Sequence, residues 1–282
     1  MPLPAAEPPQ PFSLPALVRE VPVLMIEHTS AVIGLGDENV LDVATGEIGV
    51  AHAGFLTMEV PVLEVDRGWF VGARWGYVGS AVPGRPSQTY PSSPEVWWRV
   101  ASVGDRGVSS GAELAVILPF ARDLDANDRA VLRAARVVRP ADGVLLRDRG
   151  TGVRPAFDIR YASAAFVLQV RQGVDLAYSM VGDGRLDLVA HGAVFVGWRP
   201  TSDILVGGEV RDVYALTENL GDSERAAVSF APGIRMRMGR VAPALAFEVP
   251  LSTPLGGEAR AFVALQLGVT IELEARAPPD EP

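Results

Sequence analysis

From about residue 47 onward, apolar residues recur at every second position, and short runs of Gly, Asp, Pro and Ser break the alternation. A period of two is the side-chain period of a β-strand, whose successive residues point to opposite faces. The clearest case is the segment 258–274. Its odd positions are Ala259, Ala261, Val263, Leu265, Leu267, Val269, Ile271 and Leu273, whereas Glu258, Arg260, Gln266, Thr270, Glu272 and Glu274 fall on even ones. Segments 165–178, 185–199, 225–239 and 241–251 repeat the design, with one face free of charge and the other carrying arginines and carboxylates. Five strands of one type are predicted, and the connections counted below bound a sixth between Thr201 and Thr217.

A soluble β-sandwich also alternates, so length has to discriminate. These strands run 11–17 residues, whereas globular strands usually stop at about 5 or 6. A tilted strand needs about ten residues to cross hydrocarbon. The charged face also holds Gly and Ala, which suits the inner wall of a barrel.

Counting back from the C-terminus, the connections are TPLGGE, a tight turn at Gly239-Arg240, TENLGDSE, a turn at Pro200-Thr201, VGDGR, and a turn near Ala162 to Ala165. Long and short alternate, as in spanning barrels with short turns on one rim and longer loops on the other. The same bookkeeping places strands near 153–161, 111–121, 96–104, 69–79 and 47–65, and a twelfth within 22–46, where VPVLMI and ENVLDV both qualify. The predicted fold is all-β: a closed antiparallel up-and-down transmembrane barrel of about 12 strands over residues 23–275, with 10 or 14 as alternatives. An insertion at 122–152 falls on the long-loop rim. Its Asn127 to Val138 reads as a short helix with Asp128 in the first turn and Pro140 as its stop, an expected extracellular lid.

Residues 1–22 carry seven prolines and read as a flexible leader without the regions of a secretion signal. Residues 276–282 read as a disordered acidic tail. On the apolar face, Trp69, Tyr161, Phe166 and Trp198 sit at short-turn ends, and Tyr77, Tyr178 and Tyr214 at long-loop ends. Amphipathic rings favour the membrane interface, so two girdles are expected.

Composition narrows the partners. The chain has 282 residues, 48% hydrophobic and 21% charged, with no cysteine and a net charge of −9. That hydrophobicity excludes an intrinsically disordered chain, and the missing thiols exclude a disulfide scaffold. All 25 basic side chains are arginine and none forms a basic block. Nucleic acid is therefore not an expected partner. No stretch reaches the roughly 18 apolar residues of a spanning helix.

Four segments carry a resemblance: GAELAVILPFARD (111–123), PAFDIRYASAAFVLQVRQGVDLAYS (155–179), GAVFVGWRPTSDILVGGEVRDVYAL (192–216) and FVALQLGVTIEL (262–273). They resemble the twelve-stranded outer-membrane barrels of Gram-negative bacteria, in particular the loose group of phenol-degradation-type transporters. The likeness covers roughly residues 47–275 and implies an outer-membrane location and contact with barrel-assembly machinery. Two departures stand out. Such proteins end in an aromatic residue, but here Leu273 is followed by EARAPPDEP, and the group's secretion signal is missing.

Little in the sequence suggests an enzyme or a cofactor. The only histidines are His28, His52 and His191, which excludes His-rich metal sites. Barrel lipases place a His and a Ser two residues apart on one strand face, and His191 fails this test because Gly192 and Ala193 follow it. His191 reads as a lumen polar residue, and His52 as an interface residue of open role. GLGDEN (34–39) imitates a dinucleotide fingerprint but lacks its strand-turn-helix setting and reads as a turn.

The inward parity is more informative. It carries Arg160, Arg171, Arg185, Arg199, Arg211, Arg235, Arg237 and Arg260, together with Asp158, Asp175, Asp187, Glu209, Glu248 and Glu272. Charge in a narrow tube must pair or stay wet. One reading is a cross-strand ladder of ion pairs that stiffens the wall. The other is a constriction whose arginines favour anions or carboxylates, with Arg211, Arg235, Arg237 and Arg260 the first choice. The expected function is a passive outer-membrane pore for an unknown small solute. The alternatives are a structural barrel with a plugged lumen and a soluble barrel whose apolar face points inward around a lipophilic ligand.

Overall fold

A computed structural model describes residues 21–35, 48–64, 68–81, 87–104, 107–119, 139–143, 145, 150–179, 185–217, 225–252 and 259–273. Most of the expected leader, the 127–138 helix, the acidic tail and all but the start of GLGDEN lie outside these residues.

The strands are β1 (Val23–Leu35), β2 (Ile48–Glu64), β3 (Gly68–Ala81), β4 (Gln88–Pro91), β5 (Glu95–Val103), β6 (Val108–Ile117), β7 (Gly150–Ala162), β8 (Phe166–Ser179), β9 (Arg185–Thr201), β10 (Ile204–Ala215), β11 (Ala226–Met236), β12 (Val241–Pro250) and β13 (Ala259–Glu272). Twelve of them close into an antiparallel barrel, each bonded to its neighbours in sequence, with β1 paired to β13 from Val23↔Glu272 to Leu35↔Ala259. The N-terminal strand thus starts within VPVLMI, at Val23. β4 is an addition: it pairs with the far end of β3, from Tyr77↔Pro91 to Ser80↔Gln88, while β5 takes the near end from Gly68 to Arg74. The break between them is held by Ser92, whose amide donates to Gly76 O at 2.8 Å and whose hydroxyl accepts from Gly76 N at 3.0 Å.

Alternation sends apolar side chains out and polar ones in. Ile26, Leu56, Phe157, Leu186, Trp198 and Val263 are among the exposed apolar residues, while Glu59, Asp158, Gln169, Glu209 and Glu248 are fully enclosed. A soluble protein does the opposite, so this skin calls for lipid. The ligand barrel with an apolar interior has no such interior here and is overturned.

Small apolar patches remain inside the tube, and one explains the insertion. Leu145 is buried against Ala53, Phe55, Val78, Ile117 and Ala177 of the wall, and its carbonyl accepts from Ser93 N at 2.9 Å. The described part of the insertion, a 3-10 turn at Pro140–Asp142 and the residues beside it, therefore enters the long-loop mouth rather than lying over it.

Candidate functional site

The lumen is built from the inward parity of every barrel strand, and three ion-pair networks organise it. Nearest the long-loop mouth, Asp142 of the inserted segment meets Arg74 at 2.8 Å, Arg139 at 2.8 Å and Arg154 at 3.8 Å. Glu95 binds the same cations, at 2.7 Å from Arg74 and 3.1 Å from Arg154. Arg154 also donates to Asp175 Oδ1 at 2.8 Å and to the Ala141 carbonyl at 2.6 Å. Arg139 reaches back to Glu27 at 3.3 Å. Burial alone would raise the Asp142 carboxyl, but Arg74, Arg139 and Arg154 outweigh it and hold the group well below the usual carboxylate range.

The second network centres on Arg99, which bridges Glu59 at 3.0 Å and Glu113. Glu113 also takes Arg171 at 2.6 Å, and Arg171 takes Asp158 at 2.7 Å. In the third, Arg211 donates to Glu209 at 2.7 Å, to Glu248 at 2.6 Å and to Gln266 Oε1 at 3.1 Å. Ser229 donates to Glu248 Oε1 at 2.6 Å. These pairs, most of them between different strands, satisfy charges that could not otherwise leave water. Between the networks runs a cavity of about 190 Å³, bounded by Arg74, Arg99, Arg154, Arg171, Arg211 and Arg235 and by carboxylates including Glu95, Glu113, Asp142 and Glu248.

The remaining expected lumen residues divide by level. Arg160 is inward and buried. Arg199 donates to the Ser163 and Ser202 carbonyls, both at 3.3 Å, on the short-turn rim. Arg237 pairs with Glu272 at 3.1 Å beside the Gly239 turn. Arg235 lies on the cavity wall, His191 is inward with Nε2 3.2 Å from Asp175 Oδ1, and the side chains of Arg185 and Arg260 are outside the described residues. The register does not gather the four favoured arginines at one height. Arg211 stands opposite Ser229 and Arg235 opposite Leu205, six residues apart and about 20 Å along the strand. Adjacent strands carry them, and register separates them.

Sequence reading missed Arg74, Arg99, Arg139, Arg154, Glu95 and Glu113. The parity of the expected strands 96–104 and 111–121 could have found Arg99 and Glu113. Nothing local in the sequence sends Arg139 and Asp142 inward. On the outer face, Trp69, Tyr77, Tyr161, Phe166, Tyr178, Trp198 and Tyr214 all point away from the lumen, joined by Trp75 and Trp98, which the sequence reading omitted. Trp98 rests on Trp69 with ring centroids 4.6 Å apart.

Neither a protein-family model nor a curated protein matches the chain. Solved structures do. An outer-membrane channel from Pseudomonas putida F1 superposes with a TM-score of 0.69 over 93% of this chain and 99% of that one, at 8% identity. This chain has the fold of the Gram-negative outer-membrane barrels. The NanC porin follows at 0.53 over 88% of this chain and 100% of its own, at 11% identity. The β domain of the Bordetella autotransporter BrkA gives 0.52 over 90% and 100%, at 10% identity. At such identities the likeness speaks for the fold, and the residues of the lumen have to speak for the rest.

Proposed function

We propose that the protein is an outer-membrane barrel that passes small polar solutes through a charged lumen narrowed by Arg139, Asp142 and Leu145 of the inserted segment. The observation that carries this reading is the cavity of about 190 Å³, walled by arginines and carboxylates, inside an apolar-skinned barrel. The arginines on its wall are held by carboxylates of the chain, and a permeant that carries a carboxylate can exchange with them. The outward face meets outer-membrane lipid, and a barrel-assembly machine inserts the chain.

The test is conductance in planar bilayers, for the whole chain and for a variant with residues 122–149 replaced by a short turn. Ile117 of β6 already stands opposite Gly152 of β7, so a short turn can join the two strands. The whole chain is expected to give small, anion-selective steps and the variant steps several times larger. The dense ion pairing favours a second reading, a structural barrel with a filled lumen, and silence from both proteins would decide for it.

A further inference from the structure

Lipid-facing polar groups are costly and rare, and where they occur they mark sites. On the outer face of β1 to β4, five polar side chains form one patch. Ser30 and His28 share a strand face, with His28 Nε2 2.8 Å from Ser30 Oγ. His28 Nδ1 lies 2.9 Å from the Tyr77 hydroxyl. His52 stands directly across the ladder from Ser30, with its ring stacked 6.4 Å from that of His28 and its Nε2 3.4 Å from Thr89 Oγ1. Around the patch the skin is apolar: Ile26, Val32, Val50 and Leu56 are exposed, and β13 presents Leu265 and Leu267 opposite Ser30 and His28.

Two glycines make room for it. A Cβ on Gly54 would stand 2.5 Å from the Tyr77 ring, and one on Gly79 would stand 2.3 Å from His52 Nε2. Tyr77 can therefore lie flat across β2 to reach His28. Ser30, His52 and Tyr77 all lie beyond the midpoints of their strands, toward the long-loop rim.

We propose that this patch is an ester-hydrolysing site that acts on O-acyl chains of membrane lipid. Ser30 is the nucleophile, His28 the general base and Tyr77 a positioning residue, while His52, turned toward Thr89, walls the far side of the patch. The arrangement meets the geometric requirements of an activated serine: a nucleophile bonded to a base, and that base bonded to a group that orients it. In the Nδ1–H tautomer, His28 donates to the Tyr77 oxygen and leaves Nε2 to accept the Ser30 proton. A neutral phenol stabilises the imidazolium less than a carboxylate would, so turnover is slow.

The steps balance. Ser30 Oγ attacks the ester carbonyl while its proton passes to His28 Nε2. The acyl–oxygen bond then breaks, and that proton goes to the leaving alkoxide. Water, deprotonated by His28, attacks the acyl-serine; fatty acid leaves and Ser30 regains its proton. The net reaction is ester plus water to acid plus alcohol.

The inference rests on the reading that the outward face meets lipid, and heat-modified gel mobility of the detergent-folded protein checks that reading separately. A serine-directed fluorophosphonate is expected to add one mass equivalent at Ser30 in the wild type and none in Ser30→Ala. Fatty acid release is measured in two arms, from phosphatidylethanolamine vesicles and from lipopolysaccharide micelles, so the arm that responds names the acyl donor. His28→Asn is expected to lower release about 10²–10⁴-fold. Tyr77→Phe is expected to lower kcat about ten- to hundredfold at unchanged KM, because only a hydrogen bond to the charged base is lost. Every variant is read alongside its heat-modified mobility, so misfolding is recognised. A folded, heat-modifiable wild type that neither labels at Ser30 nor releases fatty acid in either arm overturns the proposal.

Discussion

Asp142→Ala probes what holds the inserted segment in the mouth. Among the described residues, Asp142 is the carboxylate that the segment itself brings into the lumen, and it meets Arg74, Arg139 and Arg154. Removing one partner of a buried pair costs about 3–5 kcal/mol. Here Arg74 and Arg154 keep Glu95, and Arg154 keeps Asp175 as well, so the lower end, about 3 kcal/mol, is the expected loss. At about 1.4 kcal/mol per decade, the undocked population rises roughly a hundredfold. Two amides report on the segment, one across the docking contact and one within its own turn. Ser93 N donates to the Leu145 carbonyl and Leu145 N to the Asp142 carbonyl, both at 2.9 Å. Hydrogen exchange at Ser93 and Leu145 should quicken about a hundredfold in the variant, while amides within β8 and β9 stay protected and conductance steps lengthen. Unchanged exchange at both amides would show that the carboxylate does not hold the segment.

Acid should release the same segment only late. The folded-state carboxyl of Asp142 is held below its ordinary range, so its contribution is present above about pH 4 and is lost as pH falls further toward the depressed value. Ser93 exchange, corrected for intrinsic rate, should be flat from pH 8 to 5, and a rise near pH 6 would contradict this. Val196→Arg places a charge on the lipid face of β9 and should destabilise the barrel in bilayers by about 2–4 kcal/mol, read from urea unfolding in vesicles; no loss would count against that face meeting lipid. Gly76→Ala should lower the folded fraction on gels by an amount corresponding to about 1–3 kcal/mol of overpacking, because its Cβ would stand 2.0 Å from the Gly54 carbonyl oxygen, which is backbone and cannot swing aside. A heat-modifiable band as strong as that of the wild type would refute it.

The barrel was legible because closure imposes one rule on every strand. A lipid-facing residue must be apolar and its neighbours need not be, so parity survives in the sequence of β8 through β13 without any knowledge of register. Register itself was not legible, and Arg211 and Arg235 show the cost: neighbours by strand, they stand on different levels because six residues of offset leave no local mark. The inserted segment escaped for a different reason. Its docking depends on Arg139, Asp142 and Leu145 finding Glu27, Arg74 and the apolar wall far away in the chain, and no periodicity encodes that. The lipid-facing patch escaped because the first strand could not be chosen between two candidates. Once β1 is known to span Val23–Leu35, His28 and Ser30 fall on one face two residues apart, which is the pattern that His191 lacks.

The pairing of β1 with β13 sets the order of events during folding. The two halves of that seam are the first and last of the described strands, so the sheet is sealed only when the fourteen-residue β13 is in place. Until then both margins offer unpaired amides and carbonyls to any passing chain. Sealing also joins residues almost the full chain length apart, the kind of contact that forms slowly. A polypeptide shortened by its last strand would stay an open, adhesive ribbon, and quality control can be expected to treat it as waste.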